Sequence, residues 1–281
     1  IGTDNRFTPL WSASFRWNAM RENFLKDVNF ISDLAIRLSY GYTGNIDRSS
    51  YPIPMIFLSG YRYDENFVAE SVTFPNPNIK WERKQDRNFG LDFGFWDNRI
   101  GGSFNYYWNT GKDLLGTMTT PESYGRTSIK ANVSSIENTG WEFNVNLRLD
   151  LGANVRWINS FNIAQNTNKI KKTYLKDLNE LNVMGGSDNI EGYASGSMFG
   201  YRFAGVNPLT GQAMIYLTDE SRKILADYRG VDISQVADKI DTEEIDYNIR
   251  EELLRASMEK LGSVTPKVTG GFFSTFTWEK F

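Results

Sequence analysis

Hydrophobic and polar residues alternate with a period of two along most of the chain, the pattern of strands whose successive side chains point to opposite faces. Trp11, Ala13, Phe15 and Trp17 fall on one side of a first run, with Ser12, Ser14 and Arg16 on the other. Leu34, Ile36, Leu38, Tyr40 and Tyr42 oppose Arg37, Ser39 and Thr43 in a second. A third sets Phe89, Leu91, Phe93 and Phe95 against Asn88, Gly90, Asp92 and Gly94; after Asp97-Asn98 a fourth sets Ile100, Phe104, Tyr106 and Trp108 against Ser103, Asn105 and Asn109. These two form a tight hairpin. Trp141, Phe143, Val145, Leu147 and Leu149 face away from Glu142, Asn144, Asn146 and Arg148, and a turn near Gly152 leads to Val155, Trp157, Phe161 and Ile163. The seventh run, Val268 to Trp278, sets Phe272, Phe276 and Trp278 against Thr269, Thr275 and Thr277. Two residues break the pattern: Asn159 on an apolar face and Phe273 on a polar one.

The pattern predicts about seven strands of roughly 9–11 residues, the length a tilted strand needs to cross a bilayer. Their connections alternate between short (Asn18 to Ser32, Trp96 to Arg99, Asp150 to Asn154) and long (Gly44 to Gln85, Gly111 to Thr139, Asn166 to Pro266). Short turns on one side and long loops on the other predict an antiparallel transmembrane β-barrel, with the long loops extracellular. A soluble sandwich also alternates, but gives no reason for the long loops to share an end. Within the last loop, Thr218 to Gly262 is charged, and Ile245, Ile249 and Leu253 recur at helical spacing ahead of Gly262 as a C-cap. A small helical insertion over 218–262 is expected there.

Composition narrows the chemistry. No segment supplies the roughly 20 consecutive apolar residues of a membrane helix, so any span must be a strand. Aromatics make up 15% of a chain whose mean hydropathy is -0.45, a pairing that suits a wall with one lipid face and one wet face. With 0 Cys and 0 His there is no disulfide framework, no thiol nucleophile and no imidazole base. The net charge of -3 comes without the basic face a nucleic-acid partner requires. Ile1 begins no charged-then-apolar leader, so any export signal is expected outside the chain.

Enzymatic readings fail residue by residue. Ser195 in Gly192-Tyr193-Ala194-Ser195-Gly196 is one place late for a nucleophile elbow, and no His activates it. Glu243-Glu244 and Glu251-Glu252 sit in a charge run that reads as a solvated face. Asp241, Glu243, Glu244 and Asp246 fit no calcium loop, and Gly185-Gly186 is an ordinary loop signal. No catalytic residue, cofactor or metal is expected. The candidate functional residues are instead wall and loop positions: Arg16, Arg37, Asp92, Asn105, Asn144, Asn146 and Arg148 toward a lumen, and Tyr51, Tyr61, Tyr63 and Trp81 as outer-loop aromatics able to stack on a substrate.

Several segments resemble a known family: Leu38-Ser39-Tyr40-Gly41-Tyr42-Thr43-Gly44-Asn45; Asn76-Pro77-Asn78-Ile79-Lys80-Trp81-Glu82 followed by Asn88-Phe89-Gly90-Leu91-Asp92-Phe93; Lys112-Asp113-Leu114-Leu115; Ser135-Ile136-Glu137-Asn138-Thr139-Gly140-Trp141-Glu142; and Gly196 to Pro208. Together, in this order, they are similar to the SusC/RagA family of TonB-dependent outer-membrane transporters of Gram-negative bacteria. The resemblance implies that residues 1–281 are part of a larger barrel with an internal plug. It also implies energisation by the TonB system through a plug region absent from this chain, a SusD-type surface lipoprotein as partner, and import of oligosaccharides or peptides. The alternatives are a secreted carbohydrate-binding sandwich and an outer-membrane adhesin that does not transport.

Overall fold

The computed structural model describes residues 7–46, 55–63, 66–73, 76–121, 123, 128–152, 154–173, 184–186, 189–232, 242–244 and 251–278. In chain order the elements are β1 (Trp11–Asn18), β2 (Ile31–Asn45), β3 (Met55–Tyr63), β4 (Asn66–Thr73), β5 (Glu82–Phe95), β6 (Ile100–Thr119), β7 (Ser128–Asp150), β8 (Val155–Lys172), β9 (Ser197–Gly200), β10 (Phe203–Val206), β11 (Ala213–Tyr216), α1 (Asp219–Arg229), β12 (Thr242–Glu244), α2 (Glu251–Ala256), β13 (Glu259–Ser263) and β14 (Val268–Trp278). They form two compact units, one of residues 1–175 and 266–281, the other of residues 176–265.

The first unit is a single antiparallel sheet in the order β1-β2-β5-β6-β7-β8-β14, with β3 and β4 as a separate hairpin. Seven strands pair as the alternation predicts, and the sheet is open, with β1 and β14 at its edges. Among the described residues its apolar face is open: Phe272 is 69% exposed, Phe276 63% and Trp278 63%. A sandwich would bury those rings, so the face needs lipid. Phe93 stacks on Phe143, ring centroids 6.1 Å apart. Gly102 makes room for that stack, since a Cβ there would lie 2.6 Å from the Phe93 ring.

Pairing register fixes the tilt. Trp17, Ile36, Leu91, Phe104, Phe143, Ile163 and Gly270 form one continuous row across the seven strands. Trp278 ends β14 as Trp17 nearly ends β1, and it stands eight residues beyond Gly270 along β14. That is about 27 Å along the strand against about 29 Å across six interstrand spacings, a tilt of about 43°. Outer-membrane barrels tilt their strands by about 35–45°.

Three expectations need correction. The strands are longer than a bilayer requires: β6 has 20 residues, β7 has 23 and β8 has 18. Much of the expected loop Gly111 to Thr139 is therefore a two-stranded extension of the wall, and β5 begins at Glu82, inside the expected loop Gly44 to Gln85. Past the membrane both faces are wet, so alternation fades while backbone pairing continues. Gly262 is no helix cap but a residue of β13, paired with β9 at a bulge; the αL cap is Gly230, which ends α1 at φ 65°. Of the helical-spacing trio, Ile245 and Ile249 lie outside the described residues, while Leu253 is buried in α2 against Leu217, Leu225 and Ala226. That small core is locked by Thr218, whose side chain caps α1 and donates to the Ala256 carbonyl at 2.6 Å.

The Asn159 exception has a physical cause. Asn159 pairs with Ser274, on the same apolar face. Trp157 Nε1 donates to Ser274 Oγ at 2.8 Å, and Ser274 Oγ donates to Asn159 Oδ1 at 2.8 Å. Three polar groups thus satisfy one another just inside the inner aromatic rim. Replacing Ser274 by Ala strands two of them against hydrocarbon and should cost about 1–3 kcal/mol. Adding Asn159→Leu should recover much of that loss; urea unfolding of the full-length protein in lipid measures both.

Candidate functional site

The even-numbered residues of β5, β7 and β8 and their partners build one continuous polar face. At its β1 end, Asp92 of β5 takes Arg16 of β1 at 3.2 Å and Arg37 of β2 at 2.8 Å, and Arg37 also donates to Asn105 Oδ1 of β6 at 3.0 Å. Three strands are joined through one carboxylate, and Arg37 links them to a fourth. The spacing works because Gly90 lies under the bridge, where a Cβ would stand 3.0 Å from the Arg37 guanidinium carbon and 3.1 Å from Asn105 Oδ1. With both arginines about half exposed, the network orients side chains more than it stabilises the sheet.

Farther across, Asn144 faces Asn162, Asn138 faces Asn168, and Asn146 faces Ser160. Tyr107 OH donates to Asn166 Oδ1 at 3.1 Å. At the turn end, Arg148 and Arg156 both bind Asp150, at 3.0 and 3.3 Å. The face is amide-rich, with nearly balanced charge. Arg16, Arg37, Asp92 and Asn105 are thus one cluster, Asn144 and Asn146 a second zone, and Arg148 part of a third centred on Asp150. Asp150, Arg156 and Asn162 belong with them and were legible from the same parity. Phe273 stays on the polar side, opposite Ser160 and 67% exposed.

The aromatic candidates divide differently. Tyr51 lies outside the described residues, as do the side chains of Tyr61 and Tyr63, whose backbone is in β3. Trp81 is placed: its ring edge lies over Gly44 beside Leu10, and its Nε1 is buried without a partner among the described residues. It sits in a clasp built from the quoted motifs. Asn132 on β7 grips the Lys80 backbone twice, accepting from its N–H at 2.7 Å and donating to its carbonyl at 3.0 Å. The same amide donates to the Asp113 carbonyl at 2.5 Å, where β6 bulges through a positive φ of 56°. Asn76 reaches the Lys130 carbonyl at 2.9 Å, Glu82 accepts from Leu115 N–H and from Asn45, and Arg83 forks onto Asp113 at 2.8 and 3.2 Å.

No group of three or more Asp or Glu suited to a metal occurs among the described residues. Nothing on the face resembles a nucleophile beside a base.

The family model for the TonB dependent receptor-like β-barrel matches residues 2–238. The chain belongs to this family. TonB-dependent barrels of this kind are outer-membrane proteins of Gram-negative bacteria, and the family is one of transporters, not enzymes. TonB-dependent receptor P3 of Formosa agariphila is 35% identical over 215 residues, 72% of this chain and 21% of its own length. TonB-dependent receptor SusC of Bacteroides thetaiotaomicron is 35% identical over 177 residues, 60% of this chain and 18% of its own. The RagAB peptide transporter superposes with a TM-score of 0.77 over 99% of this chain and 28% of the other, at 24% identity. The TonB-dependent receptor barrel thus accounts for the open sheet, and the chain spans about a fifth of the length of the relatives it matches.

Two outcomes follow from this geometry. Asn132→Ala removes the grip on Lys80 and should cost the full-length protein about 1–2 kcal/mol, while making the 76–82 segment cleavable by protease in intact cells. Phe143→Lys, in the middle of the apolar face, should cost about 2–4 kcal/mol in a bilayer, whereas Asn144→Lys next to it should cost far less; unfolding in lipid vesicles compares them.

Proposed function

We propose that this chain is part of the barrel wall of an active outer-membrane importer of oligosaccharides or peptides, energised through the TonB system and capped by a SusD-type surface lipoprotein. The observation that carries the reading is the family match over residues 2–238 together with 35% identity to SusC. The fold shared with the RagAB peptide transporter supports it. In this reading the polar face lines the lumen. Arg16, Arg37, Asp92, Asn105, Asn144, Asn146 and Arg148 then meet water, the plug or the passing substrate. An amide-rich, charge-balanced lining suits neutral polar cargo, because amides exchange hydrogen bonds with peptide or sugar groups at little net cost.

The long connections are extracellular, and residues 218–262, which carry α1 and α2, belong to the last of them. Tyr51, Tyr61, Tyr63 and Trp81 are the loop aromatics nearest in character to sugar-stacking groups. The tight turns at Asp97-Asn98 and Gly152 are periplasmic; Trp96, Asp97 and Asn98 all take positive φ, a left-handed run that Asp and Asn tolerate.

The decisive experiment is deletion of the gene followed by growth on defined oligosaccharides and peptides. Loss of growth on one class, restored by the wild-type gene, is the expected result; unimpaired uptake with lost surface attachment would make the protein an adhesin. Topology is read separately. A single Cys at Asp227 should react with an impermeant reagent in intact cells while one at Asn98 stays unlabelled, and the reverse pattern would overturn the orientation.

A further inference from the structure

The apolar face changes chemistry in order from mid-wall to the long-loop end. Ile36, Leu91 and Phe104 form a hydrocarbon row, and Leu38, Phe89 and Tyr106 the next. Above them Tyr40 pairs with Arg87, whose guanidinium lies over the Trp108 ring, 4.5 Å from its centroid. Tyr42, Gln85 and Thr110 follow, joined by Gln85 Nε2 donating to Tyr40 OH at 2.6 Å and by a 2.9 Å contact between the two tyrosine hydroxyls. Last comes the pair Arg83 and Lys112.

Charge on this face is uneven. Arg83 is neutralised by Asp113 at 2.8 Å. Arg87 and Lys112 lie within ion-pair distance of no carboxylate among the described residues. A cation on a lipid-facing wall is costly unless water or an anion meets it. Lys112 is exposed, but Arg87 is only half exposed and held flat against Trp108 instead of reaching outward. Below the two cations the wall is hollow. Ala13 stands between Trp11 and Phe15 and leaves an open groove of about 470 Å3, floored by Leu38 and Phe89 and flanked by Tyr106 and Trp108. The arrangement is cation above, aromatic collar between, apolar slot below.

We infer that this groove is a binding site for an outer-leaflet lipid with a phosphate-bearing headgroup, its phosphate oxygens accepting from Arg87 and Lys112 and an acyl chain lying in the slot over Ala13. Charge complementarity selects the occupant: the two cations sit where the headgroups of the outer leaflet lie, and a planar guanidinium is the donor best matched to phosphate. Arg87 and Lys112 lie at different heights on the wall, so the site suits a headgroup larger than one phosphate. The inference rests on the apolar face meeting lipid with the long-loop end outward, and the cysteine labelling above tests that orientation independently.

The test uses the full-length protein in mild detergent and native mass spectrometry. The probes are a diphosphorylated glucosamine-disaccharide lipid, the same lipid without phosphates, and inorganic phosphate. The wild type should retain the phosphorylated lipid about tenfold better than the dephosphorylated one. Arg87→Gln with Lys112→Gln should abolish that difference, and Ala13→Phe, which fills the slot, should weaken retention of both lipids. If the double variant does not fold, Lys112→Gln alone, at an exposed position, should still reduce the preference severalfold. Equal retention of the two lipids by the wild type, an undiminished preference in the variants, or Arg87-dependent binding of inorganic phosphate without lipid retention would each overturn the inference.

Discussion

In hydrocarbon a backbone N–H or C=O has no solvent to bond with, and each one left unpaired costs several kcal/mol. Every feature of the larger unit answers to that constraint. The seven wall strands pair in one antiparallel sheet from β1 to β14, and where the β5–β6 ladder skips Arg87, its N–H is taken by the Asn109 side chain at 3.3 Å. The row register tilts the wall, the tilt distributes the aromatic rims, and side chains are left free to specialise by face. Even the polar intrusion on the apolar side, Asn159 with Ser274 and Trp157, obeys the same rule by closing on itself.

The sequence announces the wall where the two faces meet different solvents. Between Trp11 and Trp17, or between Trp141 and Leu149, alternation is enforced by lipid on one side and water on the other, so parity alone assigns faces. Beyond Gly111 and before Thr139 the enforcement lapses, and the pattern there reads as loop although β6 runs on to Thr119 and β7 starts at Ser128. The polar cluster was legible as a face but not as a network: nothing in the spacing of Arg16, Arg37 and Asp92 says that three strands bring them to one carboxylate. Gly262 misled for a related reason, because a glycine that follows a helical pattern serves a bulge as readily as a cap.

The family-like motifs read along the chain as separate turn signals, yet three of them are one contact in space. Asn45, the Asn76 to Glu82 stretch and the Lys112 to Leu115 stretch converge on Asn132 and Glu82. An isolated two-stranded hairpin is marginal in water. The β6–β7 extension escapes that fate because the returning segment is tied along its flank, and Asp113 accepts a left-handed backbone to present its carbonyl to Asn132.

That extension also has a mechanical meaning. From Trp141 on the apolar face to Ser128 there is roughly 40 Å of strand. β6 and β7 thus run together far past the apolar face. A tall, braced blade rooted by continuous hydrogen bonds acts as a cantilever. Load applied at its tip by anything seated on the outer surface is carried as shear down β6 and β7, past the clasp, into the same strands that carry Asn105 and Asn144.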